Sequence, residues 1–253
     1  MWFGEFVKVK AILVAGGQGT RLLPFTNYTQ KTLLPLNDRP VIDYALGTIR
    51  RAGISNITII ANQFIGQIAK HVGSGLEKEV VHYVMEDQPK GVLEALKLAK
   101  PHNENCRLLV YFSDNITTIE MNEMVSAFER SENPPGCVLL AREVENASQF
   151  GVAILNEQGE LKEIVEKPEI PLSNVAIGGI YMFDETFWEK LELFSQAEKF
   201  SISDVNNLYI NEGKAKILNI GDDTWIDCGT PQSLLQASIM AFEGKLDPNP
   251  HRV

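Results

Sequence analysis

In "LVAGGQGTRLLPFT", residues 13–26, the glycines Gly16, Gly17 and Gly19 fall within four residues, after an apolar stretch and just before Thr20 and Arg21. Lys31 follows shortly downstream. Such a loop leaves backbone N–H groups free to line an anion. A guanidinium and an ammonium beside a triphosphate neutralise the charge that builds on a departing pyrophosphate. Glycines alone would mean only a tight turn with a surface arginine. Glycine, threonine, arginine and lysine together point to a nucleotide-phosphate site that also helps to break a bond.

Two common phosphate loops are excluded. A Walker A loop ends in Gly-Lys-Ser/Thr, so that lysine and hydroxyl reach phosphate and magnesium. Here Gly19 is followed by Thr20 and Arg21. The dinucleotide fingerprint places a third glycine three residues after the second, and position 22 is leucine. The second strand ends at Asn62 rather than at an acidic residue. A dinucleotide oxidoreductase is therefore disfavoured.

Positioning such a loop requires a strand before it. Residues 11–15 read as a buried strand stopped by Gly16, and 56–62, 80–85, 107–112 and 137–141 as further strands. Apolar spacing predicts helices over 41–52, 64–72, 92–99 and 121–130, with Gly53 and Pro101 as stops. This alternation, over about 140 residues, predicts an α/β fold with a mostly parallel sheet covered by helices on both faces. Ligands of such sheets bind beyond the carboxyl ends of the strands. The glycine loop, "DQPKG" and "SDN" are thus expected in one crevice.

Later segments are more mixed. Residues 151–155 and 161–166 flank "NEQG", a hairpin with Gly159 at its turn. Further strands are read at 176–183 and 215–220, and helices at 201–213 and 231–241, the last with Pro231 in its first turn. No repeat or low-complexity linker interrupts the chain. One globular unit is expected, with a nucleotide-binding half over about 9–142 and a substrate half over about 143–241.

The chain has 253 residues, is 44% hydrophobic, and carries a net charge of −10. This is enough for one large core, and the acidity argues against a nucleic-acid partner. Small anionic substrates need only a few focused cations. No apolar run approaches the roughly 20 residues that span a bilayer, and "MWFGEFVKVK" lacks a signal-peptide apolar region. A cytoplasmic protein without membrane association is expected. Cys106, Cys137 and Cys228 are scattered and read as buried reduced thiols; the dispersed histidines make a zinc site improbable.

Taken in order, these fragments resemble a known family. The opening "LVAGGQGTRLLPFT" with "QKTLLPLNDRPVIDYAL" is similar to that of sugar-1-phosphate nucleotidyltransferases. "KTLLP" is closest to glucose-1-phosphate thymidylyltransferases. "QPKGVLEAL", "SDN", "FGVAILNEQGELKEIVEKP", "SNVAIGGIYMFD", "SISDVNNLYINEGKAKI" and "WIDCGTPQSLLQAS" follow in family order. The resemblance implies a Rossmann-like mixed sheet with a hairpin-containing sugar-binding half. It implies Mg²⁺-dependent transfer of a nucleotidyl group from an NTP, dTTP favoured, to a hexose 1-phosphate, glucose 1-phosphate favoured. By the same resemblance, Gly16, Gly17, Gly19 and Thr20 follow the nucleotide, Arg21 and Lys31 hold and activate the triphosphate, and Gln88 and Gly91 read the base. Asp114 and Asp227 bind Mg²⁺; Gly151 and Glu166 contact the sugar; Lys167 grips its phosphate. On its own terms, Asp227 between Ile226 and Cys228 is a costly strand residue unless paired.

The chain departs from the pattern in places. Ser113 stands where the aspartate motif usually begins with glycine, and Thr32 where thymidylyltransferases often carry glutamine. Only Pro89 and Lys90 separate Gln88 from Gly91. Gly178 replaces a frequent threonine and would admit a different sugar. These changes leave a UTP-dependent uridylyltransferase open, with guanine ranked lower. A non-catalytic nucleotide-sugar-binding paralogue is the alternative from another class, though it would lose Arg21, Lys31, Asp114, Asp227 and Lys167 first. The match is to short members without a C-terminal helical extension, and a homo-oligomer is left open.

Overall fold

The computed structural model describes residues 6–194 and 200–246. Strand β1 (Val9–Val14) leads into the glycine loop, and the two-residue strands β2 (Pro35–Leu36) and β3 (Arg39–Pro40) precede helix α1 (Val41–Arg51). There follow β4 (Asn56–Ala61), α2 (Ile65–Val72), β5 (Val80–Met85), α3 (Val92–Ala99), β6 (Arg107–Phe112), β7 (Asn115–Thr117), α4 (Asn122–Arg130) and β8 (Cys137–Glu143). The remainder comprises β9 (Gly151–Leu155), β10 (Leu161–Glu166), β11 (Val175–Phe183), α5 (Phe187–Glu192), α6 (Ile202–Asn211), β12 (Ala215–Asn219), β13 (Trp225–Asp227) and α7 (Pro231–Phe242). None of these helices is long and apolar enough to cross a membrane.

The neighbours β5, β4, β1 and β6 are all parallel. Pleating sends alternate side chains to opposite faces, so each central strand needs apolar residues at nearly every position. Ala11, Leu13, Leu109 and Tyr111 join a core with Leu46 and Ile49 of α1 and Phe128 of α4. Ile12, Leu108 and Val110 join the opposite core with Leu96 of α3, Phe187 of α5 and Val205 of α6.

Beyond β6 the sheet becomes mixed. The alternation suggests β8 as the next parallel strand, but β11 inserts between β6 and β8, antiparallel to both. β8 finds its parallel partner in β12. Among the later segments only β9 and β10 are consecutive strands that pair; β11 and β12 are joined through α5 and α6. The expected β9–β10 hairpin is present, with Gly159 at φ 79° in its turn.

β11 changes partners midway. Ala176 and Ile177 pair with β9, whereas Ile180 to Phe183 pair with β6. The switch falls at Gly178 and Gly179, and glycine in a strand marks a bend or a close approach. A Cβ at Gly179 would lie 2.7 Å from the Asn115 amide. The bend carries the β9–β10 hairpin past the carboxyl end of β6. A small antiparallel sheet, β7 with β13, closes the far side. Ile116 and Ile226 pin it to Val41 and Tyr44 of α1 and Ala237 of α7.

Candidate active site

Three of the expected loops converge. A cavity of about 240 Å³ beyond the strand ends is lined by Gly16 and Gly17 after β1, Glu86 and Gly91 after β5, and Asp114 after β6, with Lys31 between them. Gly19 sits at φ 62° and starts the single turn that carries Thr20 and Arg21. A Cβ at 19 would fall 2.7 Å from Thr26. Gly17 lies against the end of Lys31: a Cβ there would be 3.2 Å from Nζ. The Lys31 ammonium donates to Asp114 Oδ2 in a largely buried ion pair.

Asp114 and Asp227 are far apart in sequence and adjacent in space. Asn115 and Asp227 are register partners across β7 and β13, and Cys228 N–H donates to the Asp114 carbonyl at 2.8 Å. Burial, and then the Asp114 charge, push the Asp227 carboxyl up to about 6. Lys31, the Gly229 N–H at 2.8 Å and Arg21 pull the other way. A largely buried carboxylate whose proton affinity is raised by burial and by a second carboxylate beside it is a fit for a divalent cation, which supplies the missing counter-charge. Mg²⁺ needs only one or two carboxylates and fills its octahedron with water and phosphate oxygens. It therefore does not require a cluster of three acidic, histidine or cysteine ligands, and none occurs among the described residues. Arg21 reaches the same point from the glycine loop. A Cβ at Gly229 would meet Asp227 Oδ1 at 2.5 Å and Arg21 Nη2 at 2.6 Å, so only glycine lets the guanidinium lie there.

A second cavity of about 240 Å³ adjoins the first through the shared residues Val92 and Phe112. It is lined by Gly151, Glu166, Lys167, Trp225 and Asp227, among others. Glu166 Oε2 accepts from Ser203 Oγ at 2.7 Å, and a Cβ on Gly151 would lie 3.1 Å from that hydroxyl. Lys167 holds a left-handed φ of 44°, uncommon for lysine. Its N–H donates to Phe150 O at 2.9 Å, and its side chain is 64% exposed beside Glu166.

Most of the residues expected from the sequence thus line one of two adjoining cavities. Gly19, Thr20, Arg21 and Gln88 do not: Gln88 borders a neighbouring depression with Met85, Asp87 and Leu98, and Glu86 lines both that depression and the first cavity. The signal for Glu86 was its place as the first residue past β5. Asn115 was also overlooked. It is buried, accepts from Gly179 N–H at 3.1 Å and Trp225 Nε1 at 2.7 Å, and donates to Asp114 Oδ1 at 3.0 Å. Ser113 sits outside the left-handed region, so its Cβ is tolerated, and its hydroxyl donates to Val14 O at 3.0 Å. The space beside Gly178 is filled by the Trp225 ring, 3.2 Å from a Cβ built there.

A family model described as nucleotidyl transferase matches residues 10–243. This chain belongs to the nucleotidyl transferase family. A relative named low-salt glycan biosynthesis nucleotidyltransferase Agl11, from Haloferax volcanii, is 30% identical over 241 residues, 94% of this chain and 67% of that protein. The glucose-1-phosphate thymidylyltransferase of Mycolicibacterium smegmatis is 31% identical over 235 residues, 91% of this chain and 81% of that one. A provisional glucose-1-phosphate thymidylyltransferase from Bacillus anthracis, crystallised with sucrose, superposes with a TM-score of 0.86 at 31% identity, covering 92% of this chain and 95% of the other. A UDP-glucose pyrophosphorylase bound to UDP-glucose gives 0.79 at 23% identity, which speaks for the fold alone. The resemblance read from the sequence is borne out, and so is the mixed sheet flanked by helices.

Proposed function

We propose that this nucleotidyl transferase carries a nucleotidyl group from an NTP to a hexose 1-phosphate, with Mg²⁺. A phosphate oxygen of the sugar 1-phosphate attacks the α-phosphorus in line, the bond to the β-phosphate breaks, and pyrophosphate leaves. The observation that carries this reading is the meeting of two cavities at one carboxylate pair, Asp114 and Asp227, with Arg21 and Lys31 on one side and Lys167 on the other.

Each residue has a physical task in this scheme. The glycine loop admits the triphosphate against backbone N–H groups. Arg21 and Lys31 stabilise the departing pyrophosphate, where negative charge grows most in the transition state. Lys167 holds the sugar phosphate, and Glu166, oriented by Ser203, and Gly151 receive the sugar. Holding two anions in line is itself a large part of the rate enhancement. Asp114 and Asp227 would hold Mg²⁺, which when bound screens the phosphate charge and polarises the reacting phosphate. Lys31 then exchanges its ion pair with Asp114 for the triphosphate. The names of the relatives support glucose 1-phosphate with dTTP as the first pair to test, then UTP. Three free, buried cysteines are consistent with a reducing cytoplasm.

The test is a matrix of the common NTPs against several hexose 1-phosphates, read by pyrophosphate release with Mg²⁺ and again with chelator. Turnover should need both substrates and the metal. Tight nucleotide binding with no turnover for any pair would favour the non-catalytic alternative.

A further inference from the structure

The base-facing wall of the first cavity differs from what the resemblance implies. Gly91 is on it, at φ 107°. Gln88 is not, whereas Glu86 is. The Glu86 N–H donates to Ala61 O at 2.8 Å, so its backbone still belongs to the edge of the sheet. Only 6% of the residue is exposed. Oε1 accepts from Lys90 N–H at 3.3 Å, a long contact. Oε2 is aimed at the glycine loop, 2.7 Å from where a Cβ on Gly16 would stand. No lysine or arginine among the described residues pairs with it.

The first cavity, which this residue lines, has the apolar walls Val14, Val92, Ala95 and Phe112, with Gln18, Lys31 and Asp114 as its other polar side chains. That is a slot for a flat ring, next to the loop assigned to the phosphates. A buried acid without a cation is matched by N–H donors from whatever fills the slot. An ionised carboxylate only accepts. Guanine offers two adjacent donors on one edge, the ring N1–H and the exocyclic amine. Thymine and uracil offer one N–H between two carbonyls, and one of those carbonyls would face the carboxylate. Adenine and cytosine each set an amine beside a bare ring nitrogen. An amide in this place would suit thymine or uracil, by giving one donor and one acceptor.

We propose that Glu86 is the base-reading residue of this enzyme and that it selects guanine nucleotides over thymine and uracil nucleotides. This rests on the nucleotidyltransferase reading above and replaces the base assignment made through Gln88. Burial raises the Glu86 pKa while the Lys90 N–H lowers it, and two donors from a guanine edge hold the group ionised in the complex.

The experiment compares kcat/KM for GTP, dTTP and UTP in the wild type, Glu86→Gln and Gln88→Ala. Equilibrium binding of the same nucleotides with Mg²⁺ is measured by calorimetry alongside. The wild type should prefer GTP by tenfold or more, and Glu86→Gln should move the GTP-to-dTTP ratio by about 100-fold toward dTTP, as for a site whose buried polar group loses its match. Gln88→Ala should leave the ratio within about twofold. A wild type that prefers dTTP or UTP, or a ratio that follows Gln88 instead, overturns the inference while leaving nucleotidyl transfer intact. If no pair turns over, the catalytic reading fails separately, and calorimetry still reports the base that Glu86 selects.

Discussion

The two cavities share Val92 and Phe112 but are assembled in different ways. The first is lined at strand ends: Gly16 and Gly17 just past β1, Glu86 just past β5, Asp114 just past β6. Its geometry comes with the parallel sheet, and its working parts are backbone N–H groups and a few charges. The second gathers Gly151 and Glu166 from a hairpin and Trp225 and Asp227 from a short late strand. These meet only because β11 bends at its glycines and Asn115 ties Gly179, Trp225 and Asp114 together. In the first cavity, then, chemistry and stability are nearly separable. At the junction with the second they are not.

The largest effect expected of this contrast is on the glycine loop beside the first cavity, where Arg21 meets Asp227. Arg21 is exposed and makes no hydrogen bond among the described residues. Arg21→Ala should lower kcat by about 100- to 1,000-fold, the scale for losing a donor aimed at developing charge, and cost the fold little beyond its pull on the Asp227 carboxylate. Pyrophosphate release under saturating substrates measures it. A kcat within about threefold of wild type would remove Arg21 from the leaving-group role.

At the junction, chemistry and stability should move in opposite directions. Asp227 is an acid whose folded pKa is raised from 3.8 to about 6. The folded protein thus binds more protons than the unfolded chain across that window, and stability falls as pH rises through it. The penalty is complete above about pH 6 and absent below the unfolded value. Asp227→Asn keeps an acceptor for the Gly229 N–H and removes the charge. It should stabilise the fold by about 1–2 kcal/mol at pH 7, with no gain at pH 3. Turnover should meanwhile fall steeply as one of the two carboxylates proposed to hold Mg²⁺ is lost. Denaturant melts at the two pH values, alongside activity, check both halves. Equal stability gains at both would sever the link to the carboxylate charge.

The same contrast explains what was legible in the sequence. Val80–Met85, Val92–Ala99 and Arg107–Phe112 have the bounds read from their periodicity alone. The apolar run of β6 serves two faces of a parallel sheet and that of α3 one helix face, so the local pattern suffices. The crevice followed from the rule that ligands lie past the carboxyl ends of such strands. What stayed hidden depends on distant partners. β7 and β13 have three residues each and no usable period. The insertion of β11 between β6 and β8 is a choice of neighbour that no local pattern records. Asn115 stood in plain view within "SDN", but its value lies in Gly179 and Trp225, which only the fold brings to it. Gln88 is given the base only by the family resemblance. Which of two nearby polar side chains faces inward is decided by where β5 stops, at Met85.

The smallest effect should sharpen the division of labour between the cavities. Ser203 lies under the second cavity on α6 and touches it only by donating to Glu166 Oε2 at 2.7 Å. Ser203→Ala keeps the helix, whose capping box uses Ser201 and Asp204 instead. It frees Glu166 to turn, at a cost of about 1 kcal/mol for the lost bond. The KM for the sugar 1-phosphate should rise by about three- to tenfold, with the KM for the NTP unchanged. Steady-state kinetics with each substrate varied in turn will separate the two. A parallel rise in both would mean that Glu166 serves the shared junction, and that the second cavity is not a sugar site in its own right.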